Sequence, residues 1–287
     1  DQTAEDWAAD CDLSADRVRR ACRSFSRTTA VGADDMVIRD IAELPDAALE
    51  ELGSLMRLAM AWLALPSTTL VNVMTLLGKT DGGARCIAII PSFYRILMRL
   101  QGDSIVEWDS THAGPWDSAV AGNSSLRAHL RRNLRMEVAI EAGYTTTLTL
   151  WDLRKFYDSV RLEVLVQELE AQEYPPYTMA LGFAMHKAPR LLRAGAAVSE
   201  PITKCGTSVL AGCQQSVSWS RALLYRLLDK LTRAVPEALF GQHVDDIAQL
   251  TVTKSVLTNV NACVRSGCMI QDGADELKLT CSTKSKM

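Results

Sequence analysis

Two apolar arms meet at a pair of acids in Phe240-Gly241-Gln242-His243-Val244-Asp245-Asp246-Ile247-Ala248-Gln249-Leu250-Thr251-Val252. Short apolar runs flanking a polar break predict a β-hairpin that folds at the two aspartates. A second run, Leu148-Thr149-Leu150-Trp151, alternates like a strand and ends on Asp152. If these strands are neighbours, three carboxylates collect at one end of a sheet. Carboxylates gathered in a partly buried place repel one another and lose hydration, so a cation is their natural counterpart. With 20 Asp in the chain, an Asp-Asp pair also arises by chance. Asp34-Asp35, after Gly32 in a polar stretch, reads instead as a helix start.

The rest of the chain is that of an ordinary globular protein, with 287 residues, 48% hydrophobic and 23% charged. This is enough for two modest lobes. The stretch closest to a membrane span, Leu55 to Leu65, is broken by Arg57 and falls short of the about 18 apolar residues a span needs, so no membrane partner is expected. No basic leader followed by an apolar core opens the chain, so an intracellular place, nuclear or cytoplasmic, is expected. An initial Asp and the final Lys284-Ser285-Lys286-Met287 read as the ends of an excised fragment. The eight cysteines show no Cys-x-x-Cys spacing, which favours thiols in a reducing compartment over a structural zinc site. The net charge of −3 runs against a nucleic-acid binder, yet Arg127, His129, Arg131, Arg132 and Arg135 crowd one segment. That run reads either as a solvated helix face or as a surface that tracks phosphates.

Apolar spacing predicts a helix from Leu44 to Leu65, stopped by Pro66, then a hairpin with arms Leu70–Leu77 and Cys86–Ile90 around a Gly82-Gly83 turn. Residues 101–122 show no clear period, and Leu126 to Ala142 return to helical spacing. A boundary near Gly143 would divide a fingers-like lobe, 1–143, from a second lobe, 144–287. Beyond it the pattern reads strand to Asp152, helices at 160–172 and up to His186, a hairpin at 195–203 and a helix at 216–231. The acidic hairpin, a helix at 254–266 and a last strand, Leu277–Thr280, complete it. The fold class is α+β, helices packed on a mostly antiparallel sheet.

Phosphoryl transfer to a growing strand uses two divalent ions about 3.5–4 Å apart, one for the attacking hydroxyl and one for the leaving pyrophosphate. Mg²⁺ takes few protein carboxylates and fills its other positions with water and phosphate, so two or three Asp on adjacent strands suffice.

The ordered set of motifs resembles the reverse transcriptase family, especially the enzymes of non-LTR retrotransposons and group II introns. Leu77-Gly78-Lys79, Arg85-Cys86-Ile87 and Pro91-Ser92-Phe93-Tyr94-Arg95 are similar to its fingers signature. The resemblance implies that Lys79 and Arg85 contact the incoming nucleotide, a role suited to two cations on a hairpin tip. Asp152 to Ser159 resembles the first palm motif, with Tyr157 at the aromatic position that crowds a ribose 2′-hydroxyl. Ala211-Gly212-Cys213-Gln214-Gln215-Ser216 resembles the next, which makes Gln215 a nucleotide-site residue, with Ser216 in place of the usual Gly. His243-Val244-Asp245-Asp246 resembles the aromatic-x-Asp-Asp box, with His where Tyr or Phe is typical. Leu277 to Ser285 resembles the motif whose Lys protonates the departing pyrophosphate, which implies Lys284 as general acid.

The resemblance covers roughly residues 15 to 287. It implies a right-hand polymerase with fingers and antiparallel palm, its thumb missing from this stretch, as is any endonuclease domain. The implied metal ligands are Asp152, Asp245 and Asp246, holding Mg²⁺ with Mn²⁺ as a substitute. The implied partners are an RNA template, a DNA primer and dNTPs, with Arg131, Arg132 and Arg135 as weaker candidates for template phosphate. Two alternatives remain at this stage. One is an RNA-dependent RNA polymerase, against which Tyr157 speaks. The other is a catalytically inactive RNA-binding remnant of a mobile element.

Overall fold

The structure, a computed structural model, describes residues 2–80 and 82–285, and for Lys79 the backbone. In chain order it runs α1 (Ala4–Asp10), α2 (Ala15–Arg23), α3 (Ile38–Ile41), α4 (Asp46–Ala61), β1 (Asn72–Lys79), β2 (Gly83–Ile89), α5 (Ser92–Leu100), α6 (Gly102–His112) and α7 (Ser125–Glu141). Then follow β3 (Thr145–Trp151), α8 (Phe156–Ser159), α9 (Leu162–Ala171), α10 (Pro176–Lys187), β4 (Arg190–Ala194), β5 (Ala197–Val198), α11 (Ser216–Ala234), β6 (Ala238–His243), β7 (Asp246–Thr253) and α12 (Val256–Glu276). Among the described residues no helix is long and apolar enough to cross a membrane.

The chain forms two compact units, each made of two separate stretches. The first takes residues 1–107 and 173–216. Its core is aliphatic and Met-rich, with Leu49, Met56, Met60, Ile96, Leu97, Leu181 and Met185 wholly buried. Glycine at 53 lets α4 lie against the chain at Leu13, because a Cβ there would stand 2.2 Å from the Leu13 carbonyl oxygen. Glu50 of the same helix accepts the Ala15 N–H at 2.8 Å and so caps α2 from outside. Asp34 does not start its own helix as the sequence suggested. Its carboxylate accepts the Phe93 N–H at 3.0 Å, serving the first turn of α5. The sheet of this unit has the order β2-β1-β4-β5, with β1 antiparallel to β2 and parallel to β4.

The second unit takes residues 108–172 and 217–287. The expected boundary at Gly143 therefore falls inside it, between α7 and β3. Its sheet is wholly antiparallel in the order β3-β7-β6. One face carries Thr145, Thr147 and Trp151 of β3 and Gln249 and Thr251 of β7, and α12 meets it through hydrogen bonds. The buried Asn259 amide donates to the carbonyls of Thr145 and Thr251 at 3.0 and 3.3 Å. Ser266 donates to the Gln249 side-chain oxygen at 2.9 Å. Such a seam is stable only when every partner is in place. Residues 277–280 do not form the expected strand. Leu277 and Leu279 are buried, but Lys278 between them sits at φ 58°, which breaks an extended run.

Candidate active site

The β3–β7 ladder ends with Leu150 opposite Ala248 and Trp151 opposite Ile247. One further step brings Asp152 beside Asp246. By strand alternation Asp152 shares a face with Leu148 and Leu150, and Asp246 shares that face with Ala248 and Leu250. Asp152 is half-buried and Asp246 exposed. His243 pairs with Asp246, so Val244 and Asp245 alone turn the β6–β7 hairpin. Val244 adopts φ 62°, a conformation costly for a β-branched residue. The Gln242 amide holds that turn by donating to the Val244 carbonyl at 2.9 Å.

The C-terminal segment comes back along the same strand end. Arg154 N–H donates to Thr280 O at 2.8 Å, Ser282 N–H to Asp152 O at 2.7 Å and Asp152 N–H to Ser285 Oγ at 3.2 Å. With the Leu153–Cys281 bridge, these bonds fix the exposed Lys284 next to Asp152.

On the carboxylate face of the sheet lies a cavity of about 840 Å³, closed on its other side by α7. It is lined by Asp152, Asp246, His243 and Lys284 and, from the helix, by Arg131, Arg132 and Arg135. Ser124 caps α7, accepting the Arg127 N–H at 3.2 Å. None of the residues of α7 is buried. Partial burial pushes the Arg132 guanidinium below its ordinary range. Asp152, Asp246 and Lys284 thus meet Arg131, Arg132 and Arg135 around one space within one unit, carboxylates on one wall and guanidiniums on the other.

A supporting network was not legible in the sequence. Arg221 of α11 is 2% exposed and donates to Asp117 and Asp109, and also to the Ala119 carbonyl at 2.9 Å. Burial raises the Asp109 carboxyl, an effect the Arg221 charge opposes. The stretch so clamped runs along β6: Gln242 N–H donates to Trp116 O and Ser118 N–H to Gln242 O, both at 2.8 Å. Ser118 Oγ donates to the same Gln242 carbonyl at 2.7 Å and lies 3.2 Å from His243 Nδ1. The acidic turn is therefore braced by residues about a hundred positions away.

The other expected residues fall elsewhere. Tyr157 lies half-buried in α8 of this unit, its ring edge-on to Phe156 with centroids 5.5 Å apart. In the first unit, Arg85 is exposed on β2 opposite Leu77, two positions from Lys79. The Lys79 side chain lies outside the described residues. Gln215 departs from its expected place at a nucleotide surface. It is wholly buried, donating to Tyr94 Oη at 2.9 Å and accepting from Tyr174 Oη at 3.2 Å. Burial drives the Tyr94 hydroxyl pKa far up, which keeps this cluster neutral. Ser216 opens α11 and donates to Leu210 O at 2.7 Å, so no glycine is demanded there. The left-handed position of that loop is Gly212, at φ 112°.

Among the described residues no group of three or more His, Cys, Asp or Glu side chains is gathered so as to hold a metal ion. The donor set nevertheless suits a hard divalent cation in kind. Mg²⁺ is held by one or two carboxylates, with water and phosphate in its other positions, and Asp152 and Asp246 stand side by side.

No family model and no curated protein matches the chain. Among solved structures, it is similar to an apo telomerase from Candida tropicalis truncated from its C-terminal domain, with TM-score 0.57 at 10% identity. The match covers 78% of this chain and 51% of the telomerase, so the chain spans about half of that protein's length. This likeness shows the fold: a mixed α/β, reverse-transcriptase-like arrangement.

Proposed function

We propose that the chain is an RNA-directed DNA polymerase, a nucleotidyltransferase of the retrotransposon and group II intron type, in which the first unit serves as fingers and the second as palm. The observation that carries this reading is the β3–β7 register. It sets Asp152 beside the Asp245–Asp246 turn on the face of an antiparallel sheet that opens into a charged cavity, in a fold shared with a telomerase.

Asp152, Asp245 and Asp246 would hold two Mg²⁺, which when bound supply charge stabilisation at the attacking and leaving oxygens. The residues of the chain do the rest. Lys284, in the Thr280–Ser285 segment bonded along Asp152, would protonate the leaving pyrophosphate. The guanidiniums of Arg131, Arg132 and Arg135 hold template phosphate opposite the acids. Tyr157 excludes the ribose 2′-hydroxyl, and Lys79 and Arg85 hold the triphosphate of the incoming dNTP. Gln215, buried and bonded to Tyr94 and Tyr174, acts only by fixing its loop.

Primer extension on an RNA template with Mg²⁺, comparing dNTPs with rNTPs, tests this. Incorporation of dNTPs in preference to rNTPs supports it. Preference for rNTPs would make the chain an RNA-dependent RNA polymerase. Template binding with no incorporation would leave an inactive RNA-binding remnant.

A further inference from the structure

The helix α7 turns its apolar side to water. Leu126, Leu130, Leu134 and Val138 recur every four residues along it and are 66, 58, 61 and 60% exposed. Ala128, Arg132 and Met136, two positions further on and so on the opposite side of the helix, are the half-buried ones. A surface helix ordinarily buries its apolar stripe, and an apolar row left in water marks a contact surface. The flanks of the stripe say what covers it. Each leucine is followed by an arginine, Arg127, Arg131 and Arg135, which makes one flank a row of guanidiniums. The other flank runs His129, Asn133, Glu137 and Glu141. Like charges four residues apart weaken a helix on its own. None of the ion pairs among the described residues involves Arg131, Arg135, Glu137 or Glu141.

A second copy of α7 supplies what each flank lacks. In a two-fold pair of parallel helices each flank meets the opposite flank of the other copy, so Arg135 meets Glu137 of that copy and Arg131 meets its Asn133, twice over by symmetry. In an antiparallel pair like flanks meet, and the arginines would oppose one another. We propose that the stripe of α7 is a self-association surface through which two copies of this chain pair two-fold, their α7 helices parallel, with Arg135 against Glu137 across the seam. The inference does not depend on the polymerase reading. A second exposed row, Val256, Val260 and Val264 of α12, has no such complement, because its one flanking charge, Arg265, is already taken by Glu237. One helix pair is at the small end of specific interfaces, so the dimer is weak, with a Kd of about 10–100 µM. Pairing leaves Arg132 in the cavity and draws Arg135, at its border, into the seam.

Sedimentation velocity of the 287-residue chain over about 1–200 µM tests this, with circular dichroism confirming that each variant keeps its helices. Wild type should pass from monomer to dimer across the range. Leu134→Glu, at an exposed position, should stay folded and monomeric, and Val260→Glu on α12 should still pair. Glu137→Arg should weaken association about tenfold, and Arg135→Glu combined with Glu137→Arg should restore it to within about threefold. A chain that is monomeric throughout, or that grows past the dimer, overturns the proposal. So does a dimer untouched by Leu134→Glu, or one lost in Val260→Glu, which would put the seam on α12. A double variant that associates no more tightly than Glu137→Arg overturns the parallel pairing. None of these outcomes bears on nucleotide incorporation, so the polymerase reading stands or falls separately.

Discussion

Asp152 and Asp246 lie one register step beyond the Trp151–Ile247 pair that closes the β3–β7 ladder, on the face of the sheet that opens into the cavity beneath α7. The arrangement gathers like charge at a strand end and faces it with arginines from one helix. A fold stabilised for its own sake would not place two acids side by side there, since like charges on facing positions of a sheet destabilise it.

The acidic turn is braced by the Asp117–Ser118 stretch, which a buried cation, Arg221, holds. Arg221→Ala leaves Asp117 buried and unpaired and should destabilise the second unit by about 3–5 kcal/mol. Chemical denaturation of the variant checks this. Replacing Arg221 together with its more deeply buried partner, as in Arg221→Met with Asp117→Leu, should cost less than the single change, since only Asp109, which is partly exposed and still receives Ser218, is left without its cation. Equal or greater cost in the double variant would contradict the account.

The strands and acids were legible because alternation and an acidic hinge leave a local signature. The Leu-Thr run to Asp152 and the arms around Asp245-Asp246 became β3, β6 and β7. What was not legible depends on distant partners. The helix α6 was missed because only Ile105 and Trp108 of its apolar residues are buried, while Val106 faces outward. The last strand was misread because Leu277 and Leu279 alternate, although a left-handed Lys278 interrupts them. No local pattern announces that Arg221 reaches Asp117 or that Gln215 turns into a core of tyrosines. The boundary at Gly143 was drawn on the assumption that each lobe is one continuous stretch, and the chain instead crosses between units at positions 107, 172 and 216.

Acid should weaken the first unit through His186. Burial, with a smaller contribution from the Arg190 charge and against the opposing bond to Gly182 O, lowers its pKa from 6.5 to about 4. The unfolded chain therefore takes up the proton first as pH falls. The stabilisation is fully present above pH 6.5 and is lost down to about pH 4, in total about 3 kcal/mol. Urea unfolding across this window should show a shallower pH dependence in His186→Leu than in wild type. Parallel curves would contradict the prediction.

Tyr157→Ala should relax sugar selection, raising the efficiency of rNTP use relative to dNTP by about tenfold or more. The ratio of kcat/KM for matched nucleotides measures it. A ratio unchanged from wild type would remove Tyr157 from the nucleotide site.

Lys284→Ala should lower kcat by about a hundredfold with little change in KM, as expected for loss of a general acid. Steady-state kinetics with a single dNTP separate the two. A rise in KM alone would make Lys284 a binding residue.

The central claim, that the acids at the β3 end and the β6–β7 turn run metal-dependent polymerisation, is met most directly by primer extension on an RNA template with Mg²⁺, comparing wild type with Asp245→Ala and measuring template binding of both. The account predicts dNTP incorporation by wild type and a loss of at least about a hundredfold in the variant, with template binding retained. Incorporation that survives Asp245→Ala, or a folded, template-binding wild type that incorporates nothing, would contradict it.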